Sequence, residues 1–495
     1  MKSLHQSLAI VYLSLTLSAS GCASGDVFST APASSIAVTP VSNISAPAPI
    51  VGPVTAQRVP NPLPDYADWQ RAVAQAAATT QLPVLPALNS PELKQELDEI
   101  YNLQIRLNDQ IRARLAYWDA GGVLRWNEIA RQLVAKTGTP PPMAARAYAL
   151  LGVTHYLTVQ AVREWQGRLQ LRQTPTQMDA RIQALGQQIL STAACPSEES
   201  ALATASQAVL QYLFPGEAYA IGQNAQEHKE SRIWAGQNVR SDLAAGDAIG
   251  RAVALKIIDR ARVDGAQAKW AAQVPTFPGA WHSAIGKPPL LPLWGQTKAW
   301  FMTSNDQFRA PPHPAVNTPE FVRAAQEVRE ITANRSAEQA RIALYWADGA
   351  GTSTPPGHWN LIAANLIVEQ KLDQLQAAKI MATLNMAMMD AGIAVWETKY
   401  YYWLLRPSMS EPSINVWVSL PNFPSYTSGH SGFSGAASEV LGHFFPSQKV
   451  ALQQTADEAS ISRVYGGIHY RFDCVEGLKQ GRAIAALAIQ AMDVP

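Results

Sequence analysis

The feature that most constrains this 495-residue chain is that it reads in nearly the same way twice. Comparing Ser231–Ala252 with Ser462–Ala483 without gaps gives nine identities in 22 positions: Ser462, Arg463, Gly467, Arg471, Asp473, Gly477, Gly481, Arg482 and Ala483 in the second copy. The same offset of 231 pairs Trp165 with Trp396 and Phe214-Pro215 with Phe445-Pro446. Upstream, an offset of 228 relates Ser90-Pro91-Glu92 to Thr318-Pro319-Glu320 and Tyr117-Trp118 to Tyr345-Trp346. Trp126-Asn127 and Trp359-Asn360 are 233 apart, which places a short insertion near Thr352–Pro356. A repeat of this length is a whole domain rather than a solenoid unit, so the chain is expected to hold two similar bundles.

The pattern within each copy is helical. Ser90-Pro91-Glu92 and Thr318-Pro319-Glu320 each combine an N-cap hydroxyl, a proline at the first helical position and an early acid. From each start a long Leu/Ile/Arg-patterned segment runs to Tyr117-Trp118 or Tyr345-Trp346. Few segments alternate with period two, so little sheet is expected and the fold class is all-α. The expected boundaries are a bundle over residues 64–272, a Pro/Trp-rich connector over 273–316 and a second bundle over 317–495. Lys+Arg (39) balances Asp+Glu (38), so no global field favours nucleic acid or an acidic membrane, and any anion site must be local.

Residues 1–22 read as an export signal: Lys2, the apolar run Leu8–Leu17, then small residues up to Cys22. The last stretch resembles a lipobox, with Ala19 where Leu is usual, so Cys22 is the expected lipidation site. Residues 23–63, rich in Pro, Ala, Ser and Val, read as a tether. The expected location is the bacterial periplasm or an outer-membrane anchor, with membrane contact only through the lipid. Of the other cysteines, Cys195 and Cys474 are read as buried thiols, with a disulfide as the alternative.

Three segments of the second copy carry chemistry. Lys399 and Arg406 are seven apart, about two helical turns, and Pro407 is expected to end their helix with Arg406 in the last turn. Pro424-Ser425-Tyr426-Thr427-Ser428-Gly429-His430-Ser431 follows a Pro-rich loop and opens an apolar helix, whose N-terminus is a natural anion seat. There Gly429 permits close approach and Ser428 offers a hydroxyl donor. In Ser462-Arg463…Gly466-Gly467-Ile468-His469…Asp473, the i,i+4 spacing lets Asp473 orient the His469 ring if both lie on a helix. A turn at Gly466-Gly467 lets Arg463 point back to the same centre, and a guanidinium fork suits a tetrahedral oxyanion. Taken singly, each segment also fits a bland reading: a solvated basic face, an N-cap serine, a packed histidine.

Taken together, K-x6-RP, PSxxSGH and SRxxxGxHxxxD resemble the three signature segments of the type 2 phosphatidic acid phosphatase and vanadium haloperoxidase superfamily. The resemblance spans about Lys399 to Asp473. It implies that Lys399, Arg406, Ser428, Gly429 and Arg463 bind an oxyanion. It also implies that His430 is the acid–base group, and that His469, held by Asp473, is the axial vanadate ligand or a phosphatase nucleophile. Trp396 and Phe423 resemble the aromatic wall of chloroperoxidases, with core packing as the alternative. Ser431 stands where some of these enzymes have Ala, and Asp348 is a candidate partner for Arg463 or another site cation, with a surface Asp as the alternative. The implied activity is vanadate-dependent oxidation of halide, or another small reductant, by hydrogen peroxide. The alternatives are a cofactor-free phosphomonoesterase acting through phosphohistidine and a phosphate-binding lipoprotein without catalysis. Two bundles favour the first, because the family's small acid phosphatases resemble one bundle.

The first copy lacks this set. At the offset of 231, Arg168, Ser231, Arg232 and Asp242 echo Lys399, Ser462, Arg463 and Asp473, but Glu199 stands at His430 and Asn238 at His469. Thr174 or Pro175 stands near Arg406. The expectation is one oxyanion site, in the C-terminal bundle, with the first copy reduced to packing and a buried ion pair.

Overall fold

The computed structural model describes residues 65–169, 172–186, 193–283 and 286–493. The expected signal peptide, Cys22 and tether lie outside these residues. Seventeen α-helices and three short 3-10 turns make up the described regular structure, and no strand occurs among the described residues beyond one isolated bridge, Ala280 to Leu404.

The first half comprises α1 (Tyr66–Ala78), α2 (Pro91–Gln104), α3 (Asp109–Trp118), α4 (Gly122–Thr137), α5 (Pro141–Arg168), α6 (Pro175–Met178), α7 (Glu198–Leu213), α8 (Ala218–Trp234) and α9 (Arg240–Val263). The second comprises α10 (Pro319–Ala333), α11 (Ala337–Tyr345), α12 (Thr354–Glu369), α13 (Gln374–Tyr402), α14 (Pro407–Ser410), α15 (Gly429–Phe444), α16 (Lys449–Tyr465) and α17 (Arg471–Met492). Both ends of α7 and α15, and of α8 and α16, are separated by 231 residues, and α9 and α17 start at the same offset.

Side-chain caps set the boundaries. Ser90 and Thr318 accept from Leu93 N and Phe321 N, so the two N-terminal signals open helices. The long segments after them do not continue, however. Asn108 caps a new helix by accepting from Ile111 N, and Ser336 forms a reciprocal capping box with Gln339, so each segment is two helices.

α5 and α13, of 28 and 29 residues, pack against each other at the centre. α13 is apolar on all sides, long enough to cross a membrane by length and composition, and 94% of its most apolar window is buried within the fold. Gly152 of α5 sits where a Cβ would lie 3.0 Å from Met381 O and 3.1 Å from Ala382 Cα, so the two backbones nearly touch. Beside this crossing, Asn127 donates to Asn360 Oδ1 at 2.6 Å, and Asn360 and Asn385 exchange amide hydrogen bonds, satisfying a cluster too buried for water. One hydrophobic core runs through both halves.

The glycines that recur at the offset of 231 on α9 and α17 serve helix approach. A Cβ at Gly250 on α9 would sit 2.3 Å from Ala201 O on α7, and one at Gly481 on α17 would sit 2.1 Å from Gly432 O on α15. Gly246 and Gly477, four residues earlier, meet Ser197 O and Ser428 O at 2.3 and 2.7 Å. The close seating of α17 under the start of α15 brings Asp473 beneath Ser428, whose N–H donates to Asp473 O at 2.9 Å. Cys195 and Cys474 are both free and buried.

Candidate oxyanion site

Lys399 lies in the last turn of α13, which ends at Trp403 in a left-handed conformation (φ 53°). Arg406 is therefore not in that helix. It is extended (φ −78°, ψ 157°) as the residue before Pro407 must be, and stands at the N-cap of α14. The local reading of Pro407 as the end of the helix missed the earlier stop, which is fixed by Trp403 packing among Trp270, Trp281 and Tyr400. His469 likewise precedes α17, whose N-cap is Tyr470. Asp473 sits at the third helical position, where one oxygen accepts from Tyr470 N (3.2 Å) and from His469 Nδ1 (2.7 Å). The carboxylate thus caps the helix and fixes the ring together.

These placements bring the expected residues together. The Arg406 guanidinium donates through Nη1 to Ile468 O (2.8 Å) and lies 3.0 Å from His469 Nε2, while Nε donates to Phe423 O (3.1 Å). Lys399 Nζ donates to Pro424 O (3.0 Å) and Ser425 O (2.8 Å). Arg463 is held by Ser462 Oγ (2.9 Å) and Ala343 O (2.9 Å). The turn at Gly466-Gly467, with Gly467 at φ 76°, returns the chain to His469. Ser428 is the N-cap of α15; its Oγ accepts from Ser431 N (3.4 Å), leaving its hydrogen free to donate. Gly429 faces Trp396, whose Cζ3 would lie 3.4 Å from a Cβ there. Trp396 and Phe423 pack with their rings tilted and centroids 5.0 Å apart, and Phe423 covers Lys399 (5.1 Å) and Arg406 (5.0 Å).

The electrostatics are unusual. Lys399, Arg406 and Arg463 are at most 1% exposed, yet among the described residues none has a carboxylate within salt-bridge distance. Burial, then repulsion from Arg406, holds Lys399 well below the ordinary lysine value, and burial brings both arginines down to about 10. Burial keeps His469 and His430 neutral well below the usual histidine value, reinforced by Arg406 and Lys399 for the first and by Arg463 for the second. With Nδ1–H donated to Asp473, His469 keeps the Nε2 lone pair on the arginine side. Burial pushes Asp473 up to about 6. Arg406 Nη2 and His430 Nε2 are buried without a partner. An orphaned arginine donor and concentrated positive charge are what a bound tetrahedral oxyanion would satisfy.

Two groups escaped the sequence reading. Ser425 Oγ donates to Asp473 Oδ2 (2.5 Å), and its place in the PSxxSGH segment was the available signal. Asp348 pairs with His358 Nδ1 (3.2 Å) rather than by hydrogen bond with Arg463, on which it acts only through its charge. His358, stacked on Trp346 at 4.4 Å, gave no sequence signal.

In the equivalent region of the first half the buried arginines have carboxylate partners. Arg232 pairs with Asp119 (3.3 Å), Arg172 with Asp242 (3.1 Å) and Glu199 with His228 (2.7 Å). Asn238 accepts from Ser197 Oγ and donates to Ala194 O.

Comparison with known proteins accords with this geometry. Residues 379–494, which hold all the residues of the cation site, match the sequence pattern of the PAP2 superfamily. These residues form a PAP2 superfamily domain. The chain carrying this PAP2 domain is also 28% identical over 196 residues to the vanadium chloroperoxidase of Curvularia inaequalis, covering 31% of this chain and 32% of that protein. It therefore spans about a third of the length of that curated relative. Among solved structures, a bacterial vanadium-dependent iodoperoxidase superposes with TM-score 0.60 and 25% identity over 74% of this chain and 94% of that one. A bacterial vanadium-dependent chloroperoxidase in its apo form shares the fold, with TM-score 0.51 and 16% identity over 71% and 92%.

Proposed function

We propose that this protein is a vanadate-dependent haloperoxidase-like enzyme, oxidising halide or another small reductant with hydrogen peroxide. The observation that carries the reading is the set of three buried cations with no carboxylate within salt-bridge distance, gathered around a neutral, Asp-oriented histidine. Bound vanadate would supply a Lewis-acid centre for peroxide. Lys399, Arg406, Arg463, Ser428 and the α15 N-terminus bind and neutralise the oxyanion, which needs no rearrangement because the donors are already fixed. His469 offers the Nε2 lone pair as ligand. His430 Nε2, unpartnered and neutral, takes up and returns protons as peroxide is reduced. Trp396 and Phe423 exclude water on one side.

The same residues suit phosphomonoester hydrolysis, with His469 Nε2 attacking phosphorus and His430 protonating the leaving oxygen, and the PAP2 domain keeps that as the second reading. Purified protein should oxidise bromide or iodide with peroxide only after addition of orthovanadate. Aryl phosphate hydrolysis inhibited by vanadate, without halide oxidation, would replace the first reading by the second.

The two halves, on this reading, are copies of one ancestral unit of which the second kept the site. Support comes from the shared helix boundaries and from Asn127 bonding to its own repeat equivalent, Asn360, as in an isologous contact. The ion pairs of the first half leave no charge for an anion to neutralise.

A further inference from the structure

The connector between the halves touches the chain segments that carry and aim two of the three site cations, Lys399 and Arg406. On α13, Trp396 Nε1 (3.4 Å) and Tyr400 OH (2.6 Å), flanking Lys399, both donate to Leu290 O. On the approach to Arg406, Trp281 N donates to Trp403 O (2.6 Å) and Leu405 N to Gly279 O (3.0 Å). At the start of the PSxxSGH loop, Asn422 is tied on three sides: Leu290 N donates to its backbone O (2.9 Å), its Nδ2 donates to Pro288 O (2.7 Å), and Ser283 Oγ donates to its Oδ1 (2.7 Å). The next three residues, Phe423, Pro424 and Ser425, give the carbonyls that hold Arg406 Nε and Lys399 Nζ.

We infer that Asn422 is a positioning residue for the oxyanion site, through which the connector fixes the carbonyls that aim Lys399 and Arg406. The inference rests on the oxyanion reading above. Each cation spends some of its hydrogens on that carbonyl row, and the row decides where the remaining hydrogens point. Lys399 has three hydrogens and bonds two carbonyls, and Arg406 keeps Nη2 without a partner. If the row drifts, the free N–H groups lose their common focus, although every cation is still present.

The test uses the full chain, with orthovanadate and inorganic phosphate as probes, in wild type, Asn422→Leu and Ser283→Ala. Dissociation constants come from titration calorimetry, and thermal midpoints are recorded beside them. Loss of the two side-chain hydrogen bonds should weaken vanadate and phosphate binding by about tenfold in Asn422→Leu and by about two- to threefold in Ser283→Ala. Halide oxidation at saturating vanadate should stay within about twofold of wild type, because no reacting group is removed. The split between affinity and turnover is the signature that general loosening of the fold would not give. If Asn422→Leu does not fold, Ser283→Ala alone decides. Unchanged affinity in the folded variants overturns the inference, as does lost turnover with unchanged affinity. A wild-type protein that bound neither anion would overturn the oxyanion reading itself.

Discussion

Three desolvated cations with no carboxylate within salt-bridge distance make the apo protein less stable than its packing allows, so an oxyanion should stabilise it. A ligand that binds only the folded state at one hundred times its dissociation constant adds about 2.7 kcal/mol. With an unfolding entropy of about 2.1 cal/mol/K per residue, the roughly 430 residues of the fold give about 0.9 kcal/mol/K, so the midpoint should rise by about 3 °C. The assay is scanning calorimetry with phosphate or orthovanadate against sodium chloride of equal ionic strength. The pH dependence has a definite sign. Lys399 has a folded-state pKa held well below its unfolded value, so the unfolded chain binds more protons between the two and anion-free stability rises with pH through that window. An anion favours the protonated lysine, so its stabilising increment should shrink as pH rises toward the unfolded lysine value. No increment beyond the salt control, or one that grows with pH, would refute the argument.

Three substitutions extend the account. His469→Ala should lower either activity by at least about 10³-fold with a small change in midpoint, and a fully active variant would sink the site assignment. Asn238→Ala should leave turnover within about twofold but cost about 1–3 kcal/mol, because Ala194 O and Ser197 Oγ lose a buried partner; strong loss of activity in a folded variant would contradict a non-catalytic first half. Gly481→Ala places a methyl 2.1 Å from Gly432 O and should cost about 1–3 kcal/mol or more by parting α15 from α17, whereas a neutral result in calorimetry would contradict that packing.

Much of the local structure was legible because it is written in local chemistry. Ser90 and Thr318 cap helices because hydroxyl, proline and acid act within one turn. The His469–Asp473 contact survived a wrong premise: His469 is not helical, yet the turn before α17 brings Nδ1 to the carboxylate at the same spacing. What the sequence hid depends on distant parts of the chain. The end of α13 at Trp403 is set by Trp281 of the connector and by Trp270 just before it, more than a hundred residues earlier, and no local pattern distinguishes it from a helix running to Pro407. The connector itself reads as Pro/Trp-rich linker, whereas its backbone holds Asn422 and α13 in place. The helices broken at Asn108 and Ser336 carried their caps in plain view, but the apolar pattern on either side outweighed them.

A crystal structure of the protein soaked in orthovanadate, with data collected to locate vanadium by its anomalous scattering, shows directly whether these residues hold the oxyanion. One vanadium site per chain is expected, bonded to His469 Nε2, with Lys399, Arg406 and Arg463 on its oxygens and none in the first half. A vanadium bound elsewhere, or a second site beside Glu199 and Asn238, would contradict it.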